Sequence, residues 1–220
     1  MKHAYILAAV LALPALALAA DGGLYAPDPP PDSAFARFIV GGSGPAGVDV
    51  SVDGVSRVKA LALGQPSNYL VVPAGSHAIK VSSAGKSDSL ATFTLKAEAK
   101  NFYTLPVMAG KVSLLTDGTN KDKLKALLAV YNLVPGAAGL SINTADGATK
   151  VFSNVPSGQG KSLAVNAVSV DLKVTLGAAG VALKKATFAS GGAYSIVVYG
   201  TAAQPQALLS QNRTEPVSTK

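Results

Sequence analysis

TDGTNKDKLK, residues 116–125, is a polar, turn-prone stretch that divides this 220-residue chain into two similar segments. Both segments consist of short apolar runs separated by Gly, Pro, Asn and Asp, which is the pattern of strands and turns. The first contains VDVSVDG at 48–54 and the second LSINTADG at 140–147, with their Asp-Gly pairs 93 residues apart. Such spacing indicates two copies of one domain, and chance similarity between two segments rich in Ala and Val is the alternative.

Further matches across the stretch support duplication. Tyr103 and Tyr194 lie 91 residues apart, and each precedes the last apolar run of its segment. About seven strands per segment predict an all-β fold, with two tandem small antiparallel β-sandwich domains joined by a short polar hinge. The predicted bounds are 33–117 for the first domain, 118–123 for the hinge and 124–212 for the second domain. We expect the domains to move partly independently, because few hinge residues are apolar enough to dock on either core.

The segment LKALLAVYNLV, residues 124–134, is the one place where a helix competes with a strand. Its Lys, Leu and Ala residues favour a helix. It occupies the same place in the second segment as residues 34–40 do in the first. We therefore predict a strand here.

The two ends of the chain lack the pattern of strands and turns that its middle shows. Residues 1–19 have the charged start, apolar run and small-residue ending of a cleaved signal peptide, and the run is short for a transmembrane anchor. Residues 20–32 form a Pro-rich arm with three consecutive prolines, and residues 213–220 are predicted to be a disordered tail. The chain has no Cys, so disulfides and thiolate chemistry are excluded.

Composition narrows the function classes. The net charge of +7 suits an acidic partner or an anionic polymer, but the basic residues are scattered, which argues against nucleic acid. GSGPAG at 42–47 matches a dinucleotide fingerprint only in letters, because a strand and not a helix follows it. His77 is the only histidine after the predicted signal, and no nucleophile motif accompanies it. We therefore predict no catalytic residues, no cofactor and no metal site.

Three short motifs, taken in order, are similar to those of a known family. Residues 23–27 read GLYAP, residues 33–37 read SAFAR, and VYNL at 130–133 is followed by TADG at 144–147. In this order and spacing they resemble the alginate O-acetylation protein AlgF family, over the whole length from signal to second half. The chain departs from the family at Val40-Gly41, where an Asn is usual after the aromatic pair.

The resemblance implies an exported periplasmic protein required for acetylating alginate, an anionic polyuronate. It implies a non-enzymatic adaptor whose partners are periplasmic alginate acetyltransferases, with the membrane acyltransferase and alginate itself as further candidates. It implies no span of the membrane after signal cleavage. A polysaccharide-binding module and an acetyltransferase using His77 are the competing hypotheses.

A partner surface is predicted around the Pro-rich arm. Leu24, Tyr25 and Phe35 lie in or beside it, and an exposed Tyr is a common anchor at protein interfaces. Arg37 is placed to pair with an acidic partner. The alternative is that the arm folds back over an open edge of the first sheet.

Overall fold

The computed structural model describes residues 28–42, 44–45 and 47–217, which form seventeen strands and no helix. The first half contains nine strands, β1 Ser33–Val40, β2 Gly47–Val52, β3 Val55–Ala62, β4 Leu70–Pro73, β5 Gly75–Ser83, β6 Ser89–Ala97, β7 Phe102–Met108, β8 Lys111–Val112 and β9 Leu115–Thr116. The second contains eight, β10 Lys125–Asn132, β11 Leu140–Thr144, β12 Lys150–Val155, β13 Gly160–Asn166, β14 Ser169–Leu176, β15 Ala179–Thr187, β16 Ala193–Gly200 and β17 Pro205–Gln211. The all-β prediction and the strand predicted at 124–134 are both confirmed. Within these residues there is no helix that could span a membrane.

Each half is a sandwich of two sheets, and the strand orders match. In the first half, sheet 1 has the order β3-β2-β5-β6, and sheet 2 has the order β4-β1-β7-β8 with β9 also on β7. In the second half, sheet 3 is β13-β10-β16-β17 and sheet 4 is β12-β11-β14-β15. The two halves therefore repeat one topology, as the spacing of their motifs predicts.

One strand pair in each half differs from the antiparallel prediction. β1 runs parallel to β7, and β10 runs parallel to β16, while the other ladders are antiparallel. Parallel neighbours cannot be joined by a hairpin, and here the intervening strands of the half make the crossover. The sheets that contain these pairs are mixed.

The central strands of sheets 2 and 3 are buried on both faces, so the molecule has four layers. Each sandwich encloses one apolar core, and a third cluster lies between sheets 2 and 3. Its buried members are Ile39, Ala129, Tyr131, Leu133 and Val197. We call this contact between the two halves the seam. It explains why β1, β7, β10 and β16 are nearly continuous apolar runs rather than alternating ones.

The seam bears on the expected movement of the halves. Backbone hydrogen bonds cross it, from Gly42 N to Leu133 O at 2.7 Å and from Gly200 N to Gly42 O at 3.1 Å. We expected partly independent movement because the hinge residues are too polar to pack on either core. The two halves instead pack against each other through the strands of sheets 2 and 3. The composition of the hinge contains no information about this contact.

The C-terminal segment also differs from the prediction. Residues 213–217, expected to be part of a disordered tail, extend beside the edge of sheet 2 next to β4. Tyr69 N donates to Arg213 O at 2.8 Å, and Glu215 N donates to Tyr69 O at 2.9 Å. Glu215 also forms an ion pair with Arg57. An edge strand offers unpaired backbone groups, and these hold the segment in place. Residues 218–220 lie outside the described part of the chain.

Candidate functional site at the seam

The predicted partner-binding residues fall in two places. Leu24 and Tyr25 lie outside the described residues, so their role stays a prediction. Phe35 is half-buried and stacks on Phe102, with ring centroids 4.3 Å apart and planes 11° from parallel. Tyr69 meets the same Phe102 ring edge-on at 5.1 Å. Phe35 is therefore part of a packed aromatic group beside β1.

Arg37, the fourth predicted residue, lies inside the seam and is only 1% exposed. Its position on β1 points away from the first core, because Ala36 and Phe38 on either side pack into that core. The guanidinium therefore faces sheet 3, where no acidic partner from outside can reach it. The structure gives this arginine an intramolecular role.

Four hydrogen bonds hold the guanidinium. Nε donates to Thr104 Oγ1 at 2.8 Å, and Nη1 donates to Asn212 Oδ1 at 2.7 Å. Nη2 donates to Tyr131 OH and to Ser195 Oγ, both at 2.9 Å. Three of these four acceptors belong to the second half, so the arginine links the two sandwiches. Its carbon Cζ also lies 4.5 Å from the Tyr69 ring centroid and 5.3 Å from that of Tyr131.

Asp117 supplies the negative charge of this cluster without touching the guanidinium directly. It accepts from Tyr69 OH at 2.7 Å, from Thr104 Oγ1 at 2.6 Å and from Tyr131 OH. Thr104 and Tyr131 thus carry the interaction from the arginine to the carboxylate. We call Arg37 and Asp117 with the side chains that join them the Arg37 cluster, whose other members are Tyr69, Thr104, Tyr131, Ser195 and Asn212.

The surroundings shift the pKa values of the cluster in the direction that keeps it hydrogen-bonded. Desolvation lowers the pKa of Arg37, but its interactions with Tyr131, Tyr69 and Asp117 outweigh this and leave it raised. Desolvation raises the pKa of Tyr131 to about 12, despite the nearby arginine. Desolvation likewise raises the pKa of Tyr69. The cluster therefore holds a permanent cation among protonated hydroxyls, which suits structural locking and not proton transfer.

Two depressions lie on either side of the chain at Asp117 and Gly118, where the first half leads into the second. One of about 320 Å³ lies beside Tyr69, Phe102 and Leu127, and the other of about 310 Å³ lies beside Tyr131 and Lys161. Both are shallow continuations of the seam. Neither brings a nucleophile together with a base.

Both ring nitrogens of His77 are engaged by other groups of the protein. The residue is 7% exposed, with Nδ1 2.7 Å from Asp53 Oδ2 and Nε2 2.8 Å from the Pro73 carbonyl oxygen. A carbonyl and a carboxylate only accept, so this geometry favours the protonated ring. Desolvation lowers the pKa of His77, but the hydrogen bonds to Asp53 and to the Pro73 carbonyl leave it raised. Within residues 28–217, no group of three or more His, Asp or Glu side chains is arranged to hold a metal ion.

Sequence reasoning found Arg37 but not its partners. A lone Arg in the apolar run SAFARFIV indicates a strand buried on both faces that needs polar partners. Those partners come from residues 69, 104, 117, 131, 195 and 212, and no local pattern joins them. The unbroken apolar run at 126–131 is the sequence signal that would have suggested a strand packed on both faces.

Comparisons with known proteins give matches that extend over most of the chain. A family model described as "Alginate O-acetyl transferase AlgF" matches residues 8–195. "Alginate biosynthesis protein AlgF" of Pseudomonas aeruginosa is 32% identical over 89% of this chain and 87% of its own length. The protein of the same name from Azotobacter vinelandii is 32% identical over 84% of this chain and 81% of its own. The solved C-terminal domain of AlgF from P. aeruginosa is 31% identical, covers 41% of this chain and all of its own, and gives a TM-score of 0.37. The chain belongs to the AlgF family.

Proposed function

We propose that this protein is a non-enzymatic periplasmic adaptor in the O-acetylation of alginate, exported by cleavage after Ala19. Its partners are the periplasmic alginate acetyltransferases, together with the membrane acyltransferase. Membership of the AlgF family and the names of its relatives support a place in alginate biosynthesis. The residues 1–27 that carry the export signal and the arm lie outside the described structure.

The observation that carries the adaptor proposal is the state of His77. An acyl transfer through Ser, His and Asp needs an imidazole nitrogen free to accept the proton of the nucleophile. Here both nitrogens are engaged, one with Asp53 and the other with the Pro73 carbonyl. The ring is used as a structural staple between the two sheets of the first half. The described residues offer extended sheet edges and surfaces on which a partner protein can bind.

Acetylation of the polymer in cells tests the absence of catalysis. We expect His77→Ala to leave the acetyl content of alginate close to that of the wild type. Asp53→Ala is the matched control, because it breaks the same staple while keeping the imidazole. Loss of acetylation in His77→Ala but not in Asp53→Ala, at equal protein levels, would show that the imidazole itself takes part in the chemistry.

Co-purification tests the adaptor role directly. Tagged wild-type protein from envelope extracts should retain the alginate acetyltransferases at moderate salt and in the absence of polymer. Recovery of polymer alone, with no acetyltransferase, would instead identify a polysaccharide-binding module. Purified protein that transfers or hydrolyses the acetyl group of a model ester would overturn both.

A further inference from the structure

The second half carries an apolar cleft of about 500 Å³ between the edges of its two sheets. Leu128, Leu172 and Phe188 of the core form its floor, and the half-buried Leu163 and Val165 of β13 form one wall. Val151 and Val170 of sheet 4 form the other wall. At the far end of β13 the two edges are joined, since Lys161 Nζ donates to Ser153 O at 3.0 Å. The sandwich is thus closed at one end and open at the other.

The corresponding place in the first half is closed, and the strand registers show how. Ala36 pairs with Leu70 and Leu128 pairs with Leu163, so β4 and β13 are equivalent edge strands. Leu70 and Val72 are only 3% and 2% exposed, whereas Leu163 and Val165 are half-buried. The same side-chain positions are therefore covered in one half and accessible in the other.

The staple of His77 accounts for part of the difference. Val52 pairs with Ile79 in the first half and Thr144 pairs with Leu172 in the second, which makes Val170 the equivalent of His77. His77 reaches across to the carbonyl of Pro73 at the end of β4. Val170 has no polar atom with which to do the same. The sheets of the second half are therefore not tied together at this end.

The backbone hydrogen bonding at the outer edges of β4 and β13 also differs between the halves. In the first half, backbone N–H groups on the outer side of β4 and of Tyr69 just before it donate to the chain's own C-terminal segment. Tyr69 N donates to Arg213 O, and Val71 N donates to Glu215 Oε1 at 2.9 Å. Ala164 is the equivalent of Val71, and it is exposed. Among the described residues, β13 is paired only with β10. Its outer edge is free for another strand.

The charges beside the cleft are positive. Lys125 and Lys150 line it, and the other residues around it are apolar or uncharged. Asp146 and Asp171 lie in the neighbouring depression, where backbone amides occupy them: Ala148 N donates to Asp146 at 3.0 Å and Lys185 N donates to Asp171 at 2.7 Å. Lys125 and Lys150 form no ion pair among the described residues, so both ammonium groups are available to an acidic side chain that enters the cleft.

We propose that β13 and the adjoining cleft bind an extended, acidic and apolar segment of a partner protein by strand addition. The backbone of the segment pairs with the free edge of β13, as residues 213–215 pair with the edge beside β4. Alternate apolar side chains enter the cleft, and acidic ones face Lys125 and Lys150. This inference rests on the proposed adaptor function and names the surface that the adaptor would use.

Titration of the isotope-labelled mature chain with a capped peptide of alternating valine and glutamate, about seven residues long, tests the proposal by NMR. The shifts should concentrate on the amides of β13 and on the residues that line the cleft. Ala164→Pro removes an outward N–H without touching the ladder to β10, and it should weaken binding about tenfold. Shifts spread over other edges, or unchanged affinity in Ala164→Pro, would exclude strand addition at β13.

A double substitution of the two lysines that line the cleft tests the role of charge without changing the backbone of β13. Lys125→Glu with Lys150→Glu should weaken the peptide about tenfold at low salt and less at high salt. The matched control is Lys80→Glu with Lys96→Glu, two exposed lysines on sheet 1, which makes the same charge change far from the cleft. Equal loss in both pairs would mean that net charge alone, and not this cleft, attracts the peptide.

Other occupants give different results. If deleting residues 20–27 shifts the β13 amides, the protein's own arm fills the cleft. If the same amides shift with protein concentration, a second copy fills it. If oligouronate shifts them and the peptide does not, the cleft binds polymer. Each of these outcomes overturns the proposal.

Co-purification separates this inference from the proposed function. If the wild-type chain retains acetyltransferases while Ala164→Pro and the Lys125/Lys150 pair do not, both stand. If all variants retain the acetyltransferases, the adaptor role stands and the β13 surface is wrong. If the wild type retains none, the adaptor role fails, whatever the peptide does.

Discussion

The two halves share one topology but differ at matched positions. Both contain the same tyrosine corner: Tyr103 OH accepts from Glu98 N and Tyr194 OH accepts from Ala189 N, each at 3.0 Å. At the seam, however, Arg37 on β1 corresponds to Ala129 on β10, and Gly41 corresponds to Leu133. Arg37 thus fills space in the seam for which the second half supplies only an alanine, and Leu133 lies directly against Gly41. The comparison shows that a repeated fold becomes a single packed unit when its copies differ in side-chain size at their contact.

The edges of the halves diverge as well. The first half is closed by the His77 staple and covered by residues 213–215, while the second is open at Val170 and along β13. The first half therefore has internal links that the second lacks, and the second has an edge strand paired on one side only and an apolar cleft.

Replacing Arg37 should produce the largest loss of stability. The change to Ala gives β1 the residue that β10 carries at the equivalent position, Ala129. We expect Arg37→Ala to reduce the free energy of unfolding by about 3–5 kcal/mol in urea, since it breaks a buried charge cluster. Arg57→Ala is the control. Its ion pair with Glu215 is partly exposed, and its loss should cost less than about 1 kcal/mol. Similar losses in the two variants would show that the Arg37 cluster does not lock the halves.

A smaller effect is expected from enlarging Gly41, the residue that faces Leu133. A Cβ at position 41 would lie 2.5 Å from the Leu133 Cβ, which cannot move without its backbone. Gly41→Ala should therefore cost about 1–3 kcal/mol by pushing the halves apart. Gly44→Ala in the same loop is the matched control, because its nearest neighbour would be at an ordinary 3.4 Å. A neutral Gly41→Ala would contradict a tight seam.

The smallest effect is expected from replacing His77, and it should depend on pH. His77→Val introduces the residue that the second half has at the equivalent position, Val170. Desolvation lowers the pKa of His77, but its hydrogen bonds to Asp53 and to the Pro73 carbonyl leave it raised. The bond from His77 lowers the pKa of Asp53, aided by the amide of Ala78.

The sign of the pH dependence follows from these directions. The contribution of His77 is fully present below its ordinary pKa of 6.5 and is lost as the pH rises through its folded value. The contribution of Asp53 is present above its ordinary pKa of 3.8 and is lost as the pH falls. Melting curves should therefore show wild type and His77→Val furthest apart between these two values, by a few degrees, and closer together at alkaline pH. A difference that grows with rising pH would mean that the ring is neutral in the fold.

The sequence by itself determined the all-β class, the repeat and the strand at β10. These depend on local properties: alternation of apolar residues, turn residues between runs, and equal spacing of matched motifs. The AlgF resemblance likewise rested on short motifs read in order. Each of these signals is carried by residues that are neighbours along the chain.

Only the tertiary structure decided the seam, the parallel pairs and the place of the C-terminal segment. Arg37 was expected at a partner surface, yet its acceptors come from residues up to 175 positions away in the sequence. The closed and open edges also follow from contacts between strands that are distant in the chain, such as His77 with Asp53 and Tyr69 with Arg213. Burial on both faces, and hydrogen bonds between distant segments, are properties of packed sheets. A local pattern contains no information about which sheet will lie against another.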